Sequence, residues 1–494
     1  MGVTTVAMGS RFDVSITSNS ISLILTLALI FFLVLFFSPK ASFAAEWSII
    51  PRISVSETYD DNVRLAGEGQ EEDDYISQIN PGFSVVGKGR YSQLLLDYTM
   101  QNIFYKNNDK YDDTYHNLRA SNNTEIYRDH LFLDASANYS QRIINLQQTS
   151  STDNAAISDN RTDVAAYTVK PYYINNFGHT SMLRLEHTYN ELDSKNDELR
   201  ETDNTVNTSY VELKSGPAFK RFTWQISHQK QSVEYRERSS VKSLNSQALL
   251  NYLFTKKVYF VGVAGYEEYN YAVMAGQKNP EGSYWEAGLG WTPSHRTRLE
   301  IRQGEHYYGE TSKFLFDHRT RQSTWSINYS EEINTTSRTE PQIDTEFFNP
   351  ETEAFEETPI DISYSDVAVV SLDKVLSASV SKMTAKTVLT LNVSDSRRIY
   401  QERPGEERNA SATVSWKWQV ARRTSVNLQE KLEERKFTVP DREIKTGQHL
   451  LSVDYNISTN ASAYFSYDNT TQESKSEGIF YRRNTYTLGL TASF

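Results

Sequence analysis

The chain has 494 residues, 51 Lys and Arg against 63 Asp and Glu, a net charge of −12 and no cysteine. The acidic balance argues against a nucleic-acid-binding protein, which needs a basic face. The lack of cysteine excludes a disulfide scaffold, thiolate zinc sites and a cysteine nucleophile.

Residues 1–44 read as a targeting segment. Ile21 to Phe37 is an apolar run, Val14 to Ser38 carries no charge, Arg11 lies upstream, and Ser42-Phe43-Ala44 places small residues at −3 and −1 of a cut after Ala44. That is the layout of a secretory signal peptide; the run is also long enough for the alternative, an uncleaved anchor. The mature chain, residues 45–494, is then exported from the cytoplasm.

Beyond residue 45 the chain alternates. Leu94, Leu96, Tyr98 and Met100 oppose Gln93, Asp97, Thr99 and Gln101. Leu131, Leu133, Ala135, Ala137 and Tyr139 oppose Asp134, Ser136, Asn138 and Ser140. Phe222, Trp224 and Ile226, then Leu299 and Ile301, then Ala410, Ala412, Val414, Trp416 and Trp418 repeat the pattern. A period of two is the mark of strands with one apolar and one polar face. A soluble β-sandwich or solenoid alternates in the same way, but here the connections do too. Short ones (Gly87–Arg90, Arg128-Asp129, Thr255–Lys257, Pro293–His295, Arg422-Arg423) take turns with long ones (Asp60–Asp74, Ile143–Asn160, Glu191–Thr202, Val273–Gly282, Val439–Thr446). Short turns on one side and long loops on the other are what a membrane barrel has. Trp224, Trp291, Trp416 and Trp418 sit near short turns, where an aromatic girdle belongs.

The expected fold is therefore all-β: a transmembrane antiparallel up-and-down β-barrel of the bacterial outer membrane. Counting by parity from a periplasmic N-terminus gives about 22 strands, in a range of about 16–24 for this chain. The count makes Phe316–Tyr329 the fourteenth strand and needs an upward strand between Ser337 and Phe348, with the acidic stretch 349–361 as an outer loop. At the C-terminus Tyr486, Leu488, Leu490, Ala492 and Phe494 alternate to the last residue. This resembles the terminal strand by which the barrel-assembly machinery recognises outer-membrane proteins.

A family resemblance lies in the opening Trp47-Ser48-Ile49-Ile50-Pro51-Arg52-Ile53-Ser54-Val55-Ser56-Glu57-Thr58-Tyr59-Asp60-Asp61-Asn62-Val63. Ile79-Asn80-Pro81-Gly82-Phe83 with Leu94-Leu95-Leu96-Asp97-Tyr98, Gly290–Thr297 and Tyr329–Thr336 extend it. The chain resembles the outer-membrane β-barrel proteins associated with PEP-CTERM/exosortase systems. The resemblance implies an outer-membrane location and a setting among exopolysaccharide synthesis and export genes; it implies no catalytic residues.

Chemistry motifs are missing: there is no His-Glu-x-x-His, no Gly-x-Ser-x-Gly and no phosphate-binding glycine loop. Asp129-His130 and Asp317-His318 are adjacent pairs, and neighbours on a strand point to opposite faces. The acidic groups Asp60–Asp74 and Asp193–Asp203 lack the spacing of a calcium loop and read as solvated loops, bridged to lipopolysaccharide by divalent ions at most. No enzyme activity, cofactor or metal site is expected. Function belongs to the lumen, with Arg184, Glu186, Gln225, Gln229, Arg298, Glu300 and Arg302 as candidate pore-lining residues. Mixed charge among many hydroxyl and amide side chains suggests a wet pore of weak ion selectivity. The expectation is a channel or accessory component of exopolysaccharide secretion, served by a separate periplasmic export protein. A general diffusion or uptake porin and a non-conducting surface scaffold are the alternatives.

Overall fold

A computed structural model describes residues 46–494 apart from 146–147, 152, 196–202, 238, 272–279, 335–345, 350–353, 358–369 and 475–479. The leader therefore lies outside the described residues. The first strands are β1 (Glu46–Asp60), β2 (Asp74–Lys88), β3 (Ser92–Tyr105), β4 (Asp113–Tyr127), β5 (Leu131–Ile143), β6 (Arg161–Phe177) and β7 (Ser181–Ser194). They continue as β8 (Asn204–Ser215), β9 (Phe222–Tyr235), β10 (Val241–Leu253), β11 (Val258–Asn270), β12 (Glu281–Ser294), β13 (Thr297–His306), β14 (Gly309–Arg319) and β15 (Ser323–Asn334). After β16 (Glu346–Asn349) and β17 (Ala354–Glu357) come β18 (Ser371–Met383), β19 (Thr387–Tyr400), β20 (Glu406–Ala421), β21 (Thr424–Thr438), β22 (Asp441–Asn456), β23 (Ala461–Ser474) and β24 (Phe480–Ser493).

Twenty-two of these strands form one antiparallel sheet, each paired with its neighbours in sequence. The sheet closes on itself where β24 pairs with β1, from Arg52↔Ser493 to Asp60↔Thr485. β15 pairs directly with β18, and β16 and β17 form a separate hairpin. Closure joins the first strand to the last, which is how a sheet crosses a bilayer with its backbone groups satisfied.

Directly opposed residues of an antiparallel pair share a face, so one face can be followed right round the ring. The outer face carries Ile49, Ile53 and Val55 on β1, Leu185 on β7, Val211 on β8, Leu289 and Trp291 on β12, Val414 on β20 and Leu488 and Leu490 on β24, all exposed. Such an exposed apolar surface suits lipid and not water. Trp47, Trp291, Trp325 and Trp418 lie outward near the short-turn ends. The belt is interrupted at Glu430, between Leu428 and Leu432, whose carboxylate meets His449 across β21–β22.

Three sequence expectations are corrected. β14 and β15 come from Gly309–Asn334, because a two-residue tip at Tyr307-Tyr308 and a turn at 320–322 divide a stretch that alternation alone ran together. The upward strand sought at 337–348 lies mostly outside the described residues, and 346–349 pairs only with β17. The segment Val439–Thr446 is no long loop, since β22 begins at Asp441 and pairs with β21 up to Thr438↔Asp441.

A fourth correction concerns the two ends of the acidic segment 60–74: Glu68 to Asp73 are exposed as expected, but the ends are not solvated. Asp60, Asn62 and Asp74 are fully buried. Asp60 binds Arg483, Asp61 accepts from Asn484, and Asp74 accepts from the Asn107 amide and the Asn108 side chain. The β5–β6 connection folds into this same end of the barrel. Ile157 donates its backbone N–H to Val63 O (2.8 Å), and Ala155 packs with Val63, Ile76, Ile103 and Tyr105. A second cluster, Val206, Val233, Tyr235, Val241 and Val370, fills part of the mouth beside β8–β10.

Candidate pore lining

The inner face carries the opposite residue of each alternating pair. On a strand, side chains two apart share a face at about 6.6–6.8 Å, so i, i+2 charge pairs satisfy one another along the wall. Arg184 donates to Glu186 (2.5 Å), Lys214 meets Glu212 (3.1 Å), and Glu433 is held between Lys431 (3.3 Å) and Arg435 (2.5 Å). Gln225 and Gln229 stand on the inner face of β9, opposite Lys214 and Tyr210 of β8.

Arg298, Glu300 and Arg302 belong to a longer chain of charges on β11–β14. Arg298 donates to Glu300 (2.7 Å), which also accepts from Arg302 (2.6 Å) and from the Tyr259 hydroxyl (2.5 Å). Arg302 reaches Glu286 (3.4 Å), Lys313 meets Glu286 (3.1 Å), and His306 lies between Glu286 (3.3 Å) and Glu267 (2.9 Å). Small residues make room for these groups. A Cβ on Gly290 would sit 1.9 Å from the Tyr259 ring, and one on Gly265 would sit 2.5 Å from the Tyr284 ring. Tyrosines thus lie flat over glycines of the next strand, the arrangement by which an aromatic ring covers a backbone that has no side chain of its own.

Two of the recesses formed by the described residues open on the inner wall. One of about 770 Å³ occupies the short-turn half of β2–β7, lined by Gln93, Ser121, Asn123, Ser136, Thr168 and Asn190 among others, with Lys170 and Asp134 paired at 3.1 Å. The other, about 320 Å³, lies toward the long-loop end of β9–β15 around Tyr284, His306 and Tyr308. Elsewhere Arg52 grips Asp97 (2.5 Å) and Arg398 grips Asp373 (3.2 Å). Charges around the lumen are compensated locally, which leaves no large single-sign field to select one ion.

Sequence reading did not single out Glu267, Glu286, His306 and Lys313. Their partners lie many positions away, and only the register brings them together. The Arg298-x-Glu300-x-Arg302 spacing was the visible trace of that chain. Asp317 and His318 diverge: Asp317 accepts from Ser326 (2.9 Å), while His318 meets Thr297 (2.9 Å). Among the described residues no group of His, Asp and Glu is arranged to hold a metal ion.

No known protein-family profile matches the chain, and no curated protein matches it in sequence. In fold it is similar to the FrpB iron transporter from Neisseria meningitidis, with a TM-score of 0.50 and 10% identity over 90% of this chain and 82% of that one. It is also similar to the ferric-catecholate import receptor Fiu from E. coli K12, with TM-score 0.49, 9% identity and coverage of 90% and 81%. A mutant ferric enterobactin receptor from Pseudomonas aeruginosa gives TM-score 0.48 and 9% identity over 91% and 82%. With its closed ring and apolar outer face, the chain is a β-barrel of the outer-membrane type.

Proposed function

We propose that this barrel is an outer-membrane channel serving the secretion of an exopolysaccharide. The observation that carries the reading is the inner wall. Hydroxyl and amide side chains line the larger recess beside Val86, Leu94 and Leu95, and its Lys170 is paired with Asp134. Such a wall lets a hydrated, hydroxyl-rich polymer exchange water hydrogen bonds for weak, multiple protein ones, as conduction requires. The resemblance of the Trp47–Val63 opening to barrels associated with PEP-CTERM/exosortase systems supports the same direction. The leader is removed near Ala44, the barrel-assembly machinery recognises the Tyr486, Leu488, Leu490, Phe494 strand, and the outer loops contact lipopolysaccharide. The periplasmic side is served by a separate polysaccharide-export protein. The chain itself performs no catalysis.

The inward-folded β5–β6 connection favours a second reading, a diffusion or uptake porin, because it narrows the long-loop mouth that a polymer would cross. Deletion of the gene separates the two. Loss of surface polysaccharide with normal small-solute uptake supports export; unchanged polysaccharide with slowed uptake of sugars or ions supports the porin. If neither changes, a non-conducting scaffold remains.

A further inference from the structure

Among the described residues the backbone ladder stops short at the long-loop end of two strand pairs: β4–β5, where it ends at Leu118↔Tyr139, and β14–β15, which alone has a ring-lined recess behind it. β13 and β14 pair along their whole length, from Thr297↔His318 to His306↔Gly309, around a tip in which Gly309 adopts φ +119°. β15 pairs with β18 from Ser323↔Lys382 to Asn334↔Ser371. Between β14 and β15, however, the register runs only from Arg319↔Thr324 up to Phe314↔Tyr329. Among the described residues, Gly309–Lys313 and Ser330–Asn334 have no ladder with each other. Side chains close this seam: the Tyr308 hydroxyl donates to Glu331 O (3.3 Å), and Lys313 stands 3.6 Å from Glu332. An unpaired stretch of sheet edge in a barrel is a liability unless something uses it.

Directly behind the seam lies the smaller recess. Its floor is a three-ring stack, with Tyr284 on His306 (centroids 4.3 Å, planes 16° apart) and His306 on Tyr308 (5.0 Å, 18°). The Tyr284 hydroxyl donates to the side-chain oxygen of Asn245 (2.9 Å) and stands 3.2 Å from that of Gln247, so that both amide N–H groups point elsewhere. Glu332, two-thirds exposed, adds an acceptor, and Lys313 adds a donor. Amide donors, carboxylate acceptors and an aromatic stack in a recess of about 320 Å³ suit one hydroxyl-rich sugar unit, at the small end of ligand pockets, about 300–1,000 Å³. The axial mouth is meanwhile narrowed from both sides by the β5–β6 connection and by the Val206–Val370 cluster.

We propose that the upper β14–β15 seam is a side door, through which a glycan passes between the lumen and the outer surface by way of a sugar subsite at Tyr284, His306 and Tyr308. The inference rests on the channel reading above. Parting this seam breaks the Tyr308–Glu331 hydrogen bond and the long Lys313–Glu332 ion pair, whereas parting a fully paired neighbour would break a ladder.

The chain has no cysteine, so introduced thiols are unique. The test uses the full-length protein in planar bilayers, reading KCl conductance and its block by maltohexaose. Ser312→Cys with Glu331→Cys is bridged by a short bis-methanethiosulfonate linker, with bridging confirmed by mass spectrometry and reversed with dithiothreitol. Bridging is expected to cut conductance at least tenfold and abolish maltohexaose block, and the reductant to restore both. Tyr308→Phe, which deletes only the bridging hydroxyl, is expected to raise conductance in the absence of any linker. A disulfide between Val63→Cys and Ile157→Cys, which pins the β5–β6 connection, is expected to leave both readings unchanged. The side door is overturned if the bridged seam conducts as before, if Tyr308→Phe conducts like the parent, or if only the pinned connection blocks. A parent protein that carries no current at all overturns the channel reading and the side door with it.

Discussion

Between β1 and β3 the backbone ladders run nearly end to end, from Glu46↔Lys88 to Asp60↔Asp74 and from Lys88↔Gln93 to Ile76↔Tyr105, while between β14 and β15 the ladder covers only the short-turn half. Along β1–β3 the side chains are relieved of holding strands together, although the β4–β5 ladder further along this first wall ends at Leu118↔Tyr139. They form a hydroxyl-lined recess below and receive a folded-in connection above. Along β11–β14 ladders, linked ion pairs and ring stacks over glycine act together, and at the upper β14–β15 seam the side chains do the holding, with a tyrosine that spans it. The difference teaches that a closed ring need not be equally closed everywhere. Where backbone pairing ends, closure passes to groups that exchange partners more easily.

Four measurements would break or sharpen this contrast. The largest effect is expected from Arg483→Ala on the β1–β24 side. Arg483, 5% exposed, is the cation for the fully buried Asp60 (2.6 Å) and also meets Asp153 (2.5 Å). Removing one partner of a buried pair costs roughly 3–5 kcal/mol. The heat-modifiable band on gels should therefore unfold at a clearly lower temperature; no shift would mean that the packed connection does not depend on this cation.

Next come the two faces of the first wall. Leu133→Arg places a charge on the lipid side close to the short-turn end of β5, where the cost is below the roughly 2–4 kcal/mol of the bilayer midplane, and should reduce the assembled fraction in outer-membrane preparations. Ser136→Arg opens into the larger recess and should assemble like the parent. Equal yields from both would reverse the face assignment.

On the second wall, Gly290→Ala forces the Tyr259 ring away from its place and with it the hydrogen bond to Glu300. Overpacking of this kind costs about 1–3 kcal/mol. Gly282→Ala, whose new carbon would meet Tyr307 at an ordinary 3.6 Å, is the control, and thermal unfolding followed by circular dichroism should separate the two.

The smallest effect is one of pH. Burial opposes the Asp153 charge, but the Arg483 and Arg161 guanidiniums and the Ala156 amide hold its carboxyl down to about 2. A carboxyl depressed below its free value of about 3.9 lends stability that is complete above that value and is lost as pH falls through the depressed one. Pepsin cleavage within the β5–β6 connection should thus stay slow at pH 4 and rise toward pH 2. Equal cleavage at both values would show that Asp153 does not anchor it.

The alternation of Leu131–Tyr139 or Ala410–Trp418 already told, from sequence, which face of each strand meets lipid. Period two is a local property: a segment with one apolar side has one way to lie in a barrel wall. The strand total of 22 came out right because two misplacements cancelled, one strand too few across Gly309–Asn334 and one too many at 337–348, while the C-terminal strand from Tyr486 to Phe494 followed from the pattern directly. The inward set named from sequence, from Arg184 to Arg302, falls on the lumen side for the same reason. Tertiary structure alone decided the rest. Glu267, Glu286, His306 and Lys313 meet because three successive hairpins stack in one register. Asp60 is buried because β24 returns to β1 and brings Arg483 to it. The ladder between β14 and β15 stops where the short β13–β14 hairpin parts from β15. Register across strands, the depth to which a connection folds and the point where a ladder ends depend on residues far apart in the chain, and no local period encodes them.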